Sequence, residues 1–149
     1  MSQISVTVEL SIEKPAQEVF EAAPRPVPFF LKRASGPIGE GADITWEFEE
    51  LAKPFSIRAG KVRADELIQF QWPRGGGGEM NSVEFTLTPF NDRITTLCIT
   101  ESGRPDDAQW REASYRNCMG RMHMACSLKA YLECSVNLRK GSFVQMKFE

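Results

Sequence analysis

Apolar and polar residues alternate without a fault from residue 4 to residue 12. Ile4, Val6, Val8, Leu10 and Ile12 are apolar, with polar residues between them. A period of two means a strand with one buried face. Glu13-Lys14-Pro15-Ala16-Gln17-Glu18-Val19-Phe20 follows, and a proline there suits the first turn of a short helix. Val19 and Phe20 can turn back onto the core, and the helix ends near the prolines at 24, 26 and 28. Residues 24–43 are rich in proline and glycine. They read as a loop with one helical turn at Phe29-Phe30-Leu31, either a cavity mouth or a plain connector.

Strand patterning returns from residue 44 to residue 101. Ile44, Trp46 and Phe48 alternate with polar residues, then Phe55, Ile57 and Ala59, then Ile68, Phe70 and Trp72, then Val83, Phe85 and Leu87. Leu97, Ile99 and Glu101 share a face of the last strand. Ala64-Asp65, Asn91-Asp92 and the glycines 75–78 supply the turns. No helix intervenes, so the sheet is expected to be an antiparallel meander.

The period then changes to that of a helix. Between Asp106 and Ser135 there is no proline, and the single glycine is Gly120. Trp110, Ser114, Cys118, Arg121, Ala125, Leu128 and Leu132 recur at steps of three and four, which predicts one apolar stripe. Asp106-Asp107 suits a helix start. The helix should run roughly 28 residues, on the order of 40 Å, and must lie across the sheet. The fold class expected is therefore α+β, a curved antiparallel sheet around a long C-terminal helix.

At 149 residues with 42% hydrophobic content, the chain reads as one domain, 1–149, with a real core. The net charge is −2 with both signs scattered, and no basic stripe is present, so a nucleic-acid partner is not expected. No apolar run approaches a membrane span. Met1 leads straight into the first strand, and Cys98, Cys118, Cys126 and Cys134 form no CxxC pair. A cytoplasmic protein with free thiols is the expectation.

Three segments resemble the START-like, SRPBCC superfamily. They are Lys14 to Phe20 at the first strand-to-helix junction, Thr95-Thr96-Leu97-Cys98-Ile99-Thr100-Glu101-Ser102-Gly103 at the end of the last strand, and Leu128-Lys129-Ala130-Tyr131-Leu132-Glu133 at the end of the long helix. The branch they are most similar to is that of the heat-shock protein 90 ATPase activator homologues. The resemblance implies a helix-grip fold with a ligand cavity between sheet and helix. That branch usually carries Gly-Trp and a leucine along the helix. Here Gly120 is kept, Arg121 stands in place of the tryptophan and Ala125 in place of the leucine, so volume is expected to open there.

The candidate chemistry follows from these positions. Glu101 is in phase with Leu97 and Ile99, and a carboxylate facing an apolar cavity must be paired, hydrogen-bonded or protonated. It either anchors a ligand, acts as an acid–base group, or caps the loop at the wet end of the strand. Arg121 could hold a ligand carboxylate through its planar fork, pair with Glu101, or turn to solvent. Trp46, Phe48, Phe70, Trp72 and Phe85 form an aromatic wall. Opposite Cys118, Arg121 and Ala125 it would line a pocket for a flat or greasy molecule, with Met119 and Met122 adapting to shape. His123, Cys118 and Cys126 do not converge on one helical face, so no metal site is read from them, and no cofactor is implied. Gly75–Gly78 lacks the residues of a phosphate loop.

The leading expectation is a binding protein for a small hydrophobic or amphipathic molecule. A cyclase or dehydratase of polyketide type is the alternative, with Glu101 as its acid–base group and Arg121 or Tyr115 as the second polar partner. A chaperone co-factor is a third class. Val144, Met146 and Phe148 alternate at the end of the chain, and 136–149 is a candidate extra strand or tail that could pair with a sheet edge or with a second copy in a homodimer.

Overall fold

Among the described residues, seven strands and two helices follow the expected order. The structure, a computed structural model, describes residues 3–73 and 79–142. The strands are β1 (Gln3–Ile12), β2 (Arg33–Ala34), β3 (Asp43–Glu47), β4 (Phe55–Arg63), β5 (Leu67–Pro73), β6 (Met80–Pro89) and β7 (Thr95–Pro105). The helices are α1 (Ala16–Ala22) and α2 (Ala108–Cys134). The sheet order is β1-β7-β6-β5-β4-β3-β2, with every neighbouring pair antiparallel. The meander from β2 to β7 is consecutive, and β1 closes the array beside β7. The glycines 75–78 and the tail residues 143–149 lie outside the described residues, so the C-terminal strand expectation falls there too.

Period-two patterning places the core on one face. Val8, Ile12, Ile44, Trp46, Ile57, Ala59, Ile68, Phe70, Trp72, Val83, Phe85, Leu87, Leu97 and Ile99 are all buried in one cluster. In α1, Val19 is buried and Phe20 is half-buried against the cluster. The loop after α1 makes the single turn expected. Phe29, Phe30 and Leu31 all donate backbone N–H to Pro26 O, and these three side chains and Ile38 enter the core. Only the short β2 was not foreseen.

The long helix begins where Asp107 caps it, its carboxylate accepting from Trp110 N at 2.9 Å. It ends at Ser135, in the left-handed region with φ 56, whose N–H reaches back to Ala130 O and Tyr131 O. The buried face differs from the expected stripe. Its buried residues are Arg121, Met124, Ala125, Ser127 and Leu128, all in the C-terminal half. That half lies on β1, with a smaller contact to β7. The helix therefore grips one side of the sheet. Beyond Arg121, which lies over Trp72 of β5, Phe48 just after β3 is met by Phe30 of the loop after α1 and by Arg139 of the segment after α2.

Candidate functional site

Glu101 is buried, at 4% exposure, so the reading that put it at a wet strand end does not hold. The strand geometry explains why. β7 carries a bulge against β1, where the register passes from Val6↔Glu101 to Ile4↔Arg104. Gly103 sits in that bulge with φ +113, and a Cβ there would come within 3.3 Å of Met80 O and 3.4 Å of Asn81 Cα. A glycine is needed for β6 to approach this closely. The bulge and the glycine set Glu101 beside Asn81.

Three side chains donate to the carboxylate. Asn81 Nδ2 lies 2.7 Å and Trp72 Nε1 3.2 Å from Oε2, and Arg121 Nη1 lies 3.4 Å from Oε1. The Arg121 guanidinium also lies over the Trp72 ring at 4.3 Å. Thus the expectation that Glu101 and Arg121 meet is met in the geometry. Burial pushes the Arg121 pKa down, and Glu101 and then Glu50 oppose the drop. An unpaired charge here would be costly, and both members are paired.

The aromatic wall forms as expected. Trp46, Phe48, Phe70, Trp72 and Phe85 are buried, and their rings touch in sequence: Trp46 to Phe70 at 5.2 Å, Phe70 to Trp72 at 5.7 Å and Phe70 to Phe85 at 5.7 Å between centroids. Ala125 has no exposed surface and belongs to the same buried core. Trp46 Nε1, Asn81 Oδ1 and Ser127 Oγ are buried and have no hydrogen-bond partner among the described residues.

Two candidates lie elsewhere. Cys118 is exposed: the first buried residue of α2 is Arg121, and the turns before it contain none, touching the sheet through Trp110 under Arg104. It therefore does not line the wall. Tyr115 is 75% exposed on the same stretch and cannot partner Glu101; Met119, at 66%, also faces solvent. Met122 packs partly on the core. His123 is edge-on to Phe30, 5.8 Å between ring centroids, and burial followed by the charge of Arg139 lowers its pKa.

A second buried ion pair was not anticipated. Arg139, in the turn after α2, binds both carboxylate oxygens of Glu50 in the β3–β4 connection. Its guanidinium lies 3.6 Å from the Phe30 centroid and 5.8 Å from that of Phe48. Glu50 is pushed up by burial, and Arg139 and Arg121 pull the other way.

Among the described residues the surface also carries clefts away from this site. One of about 360 Å³ lies on the outer face of the sheet, lined by Arg58, Gln69, Gln71, Ser82 and Glu84 among others. Another of about 460 Å³ lies between α1 and the C-terminal turn of α2. Among the described residues no helix is long and apolar enough to cross a membrane.

No family model matches the chain, and no curated protein matches it. Solved structures do. DynU16, a protein of the dynemicin biosynthetic locus, superposes with a TM-score of 0.75 at 28% identity over 89% of this chain. The match spans 48% of DynU16, about half its length. The Aha1 dimer from Colwellia psychrerythraea gives 0.71 at 14% identity, covering 93% of this chain and 99% of that one. A START superfamily protein from Mycobacterium smegmatis gives 0.65 at 12% identity, covering 89% and 99%. These likenesses concern the arrangement of sheet and helix.

Proposed function

Because the chain has the START-like helix-grip fold of the SRPBCC superfamily, we propose that it binds a small hydrophobic or amphipathic molecule between the aromatic wall and α2. One observation carries the reading. A buried ion pair, Glu101–Arg121, is built into the wall beside Trp72; its carboxylate accepts three hydrogen bonds while Arg121 Nε is buried with no partner among the described residues, and the helix has here a charged residue and a small one in place of large apolar groups. A core needs no such pair for stability, since apolar residues of similar volume do as well or better. A binding site does need polar groups held in place within an apolar surround. Trp46 Nε1, Ser127 Oγ and Asn81 Oδ1 add two hydroxyl- or indole-type donors and one acceptor in the same interior. The ligand then has an apolar, flat body and at least one hydrogen-bonding group.

Binding is favoured over acid–base chemistry by the same geometry. All three neighbours of Glu101 are donors, and they occupy both oxygens. The carboxylate is held as an acceptor, which suits an anchor that orients Arg121 and Trp72. Native mass spectrometry of the purified protein tests the reading. The expected spectrum contains a species heavier than the 16.8 kDa chain, and denaturation releases a small molecule with an apolar body. Protein that is bare, and that takes up no hydrophobic dye at any concentration, counts against it.

A further inference from the structure

Among the described residues the aromatic wall has almost no exposed surface, which raises the question of how anything reaches it. Trp46, Phe48, Phe70 and Trp72 are each 6% exposed or less. α2 covers the β1–β7 side, through regular packing of helix on strand. The β3–β5 side has a different cover. There the chain leaves α2 at the left-handed Ser135 and folds into a turn in which Asn137 Oδ1 accepts from Arg139 N at 3.1 Å and Lys140 N at 3.0 Å. This strap, residues 135–142, brings Arg139 across to Glu50, 89 positions away in sequence. Arg139 is the one residue of the strap that is buried. Its guanidinium fills a cage of Phe30, Phe48 and Glu50, an arrangement that suits a cation.

Resting on the binding reading above, we propose that the strap is a latch on the interior site, with the Arg139–Glu50 pair as its catch. All three parts of the catch lie in irregular chain: Phe30 in the loop after α1, Glu50 in the β3–β4 connection and Arg139 in the strap. No strand or helix has to break for it to open. Release of Arg139 uncovers Phe30 and Phe48, and Phe48 is in ring contact with Trp46 and Trp72 at 6.2 and 6.3 Å. Opening the catch therefore exposes the wall itself. Glu50 sits in a connection between strands that can swing to water when Arg139 leaves, so neither charge is stranded. The latch controls access, and Glu101 with Arg121 holds what enters.

Stopped-flow mixing with the dye 1-anilinonaphthalene-8-sulfonate tests this on the full chain. Arg139→Met should raise the association and dissociation rates together, by roughly tenfold each, with the equilibrium affinity little changed. Arg139→Lys keeps the charge without the flat guanidinium over Phe30 and should fall between wild type and Arg139→Met; it also serves if the methionine variant folds poorly. Unchanged rates in both variants, with dye still bound, overturn the latch and leave the binding reading standing. A rise in dissociation alone overturns it too, since that marks Arg139 as a ligand contact. No dye binding in wild type or either variant sinks the binding reading, and the latch with it.

Discussion

The two buried ion pairs have the same chemistry and opposite settings. Glu101–Arg121 joins the middle of a strand network to the middle of a long helix, and each partner is positioned by regular hydrogen bonding around it. Glu50–Arg139 joins a connection to a post-helical turn, and nothing regular holds either partner. Identical charges can thus serve as a fixed anchor in one place and a releasable catch in the other. What decides between them is the cost of moving the backbone that carries each.

Removing one partner of each pair is the sharpest way to break the comparison. Arg121→Met leaves Glu101 buried with only Trp72 and Asn81 as donors. It should cost about 3 kcal/mol or more in unfolding free energy by urea denaturation. Arg139→Met should cost clearly less, because Glu50 can reach water by local opening of a connection. Equal losses would mean that the strap is as much a part of the folded core as α2. Gly103→Ala comes next. Its φ of +113 and the 3.3 Å approach to Met80 O leave no room for a methyl group. A loss of about 2 kcal/mol is expected by the same assay, together with a shift of the Asn81 side-chain amide signals in NMR spectra, because the bulge sets that contact.

How far the site could be foreseen differs between the same two settings. The strands, their inward faces and both helices follow from apolar spacing, and so do Glu101, Arg121 and the five aromatic residues. Asn81 was also readable, since it shares parity with Val83, Phe85 and Leu87 on β6, but a polar residue at the start of an apolar run draws no attention. Cys118 and Tyr115 were misplaced because spacing gives a helix its stripe and not the point where packing begins. Met124 and Ser127 were missed for the related reason that the buried face is centred away from Cys118. Glu50 and Arg139 had no periodic signal at all. Both lie in irregular chain, and their meeting is fixed only by tertiary packing.

A smaller effect tests whether the wall is closed. Ala125 has no exposed surface, so Ala125→Leu should overpack the interior and destabilise by about 1 kcal/mol. Stabilisation, seen as a higher denaturation midpoint, would reveal unfilled space between Ala125 and the wall. That space would be room for a ligand already present in the closed state.

The smallest effects are those of pH, and they run in opposite directions. Burial raises the Glu50 pKa above 4.5. In the window just above 4.5 the folded chain binds more protons than the unfolded one, so this group's contribution to stability falls as pH rises. Burial lowers His123 below 6.5. In the window just below 6.5 the unfolded chain binds more protons, so stability falls as pH drops. Glu50→Gln should remove the first slope and His123→Gln the second, measured as unfolding free energy between pH 4.5 and 7. Arg139→Met should widen the Glu50 window, because it deletes the strongest opposing charge. A Glu50 slope indifferent to residue 139 would contradict the facing of the two groups.

The central claim is that ligand enters between the wall and α2, and the indole signals of the three tryptophans report on it directly. In a titration of isotope-labelled protein with 1-anilinonaphthalene-8-sulfonate, the Nε1–H resonances of Trp46 and Trp72 should move or broaden saturably at one affinity, together with the Asn81 side-chain amide. If those three stay fixed while Gln69, Gln71 and Ser82 on the outer face respond, the molecule binds the surface cleft and the interior site is wrong.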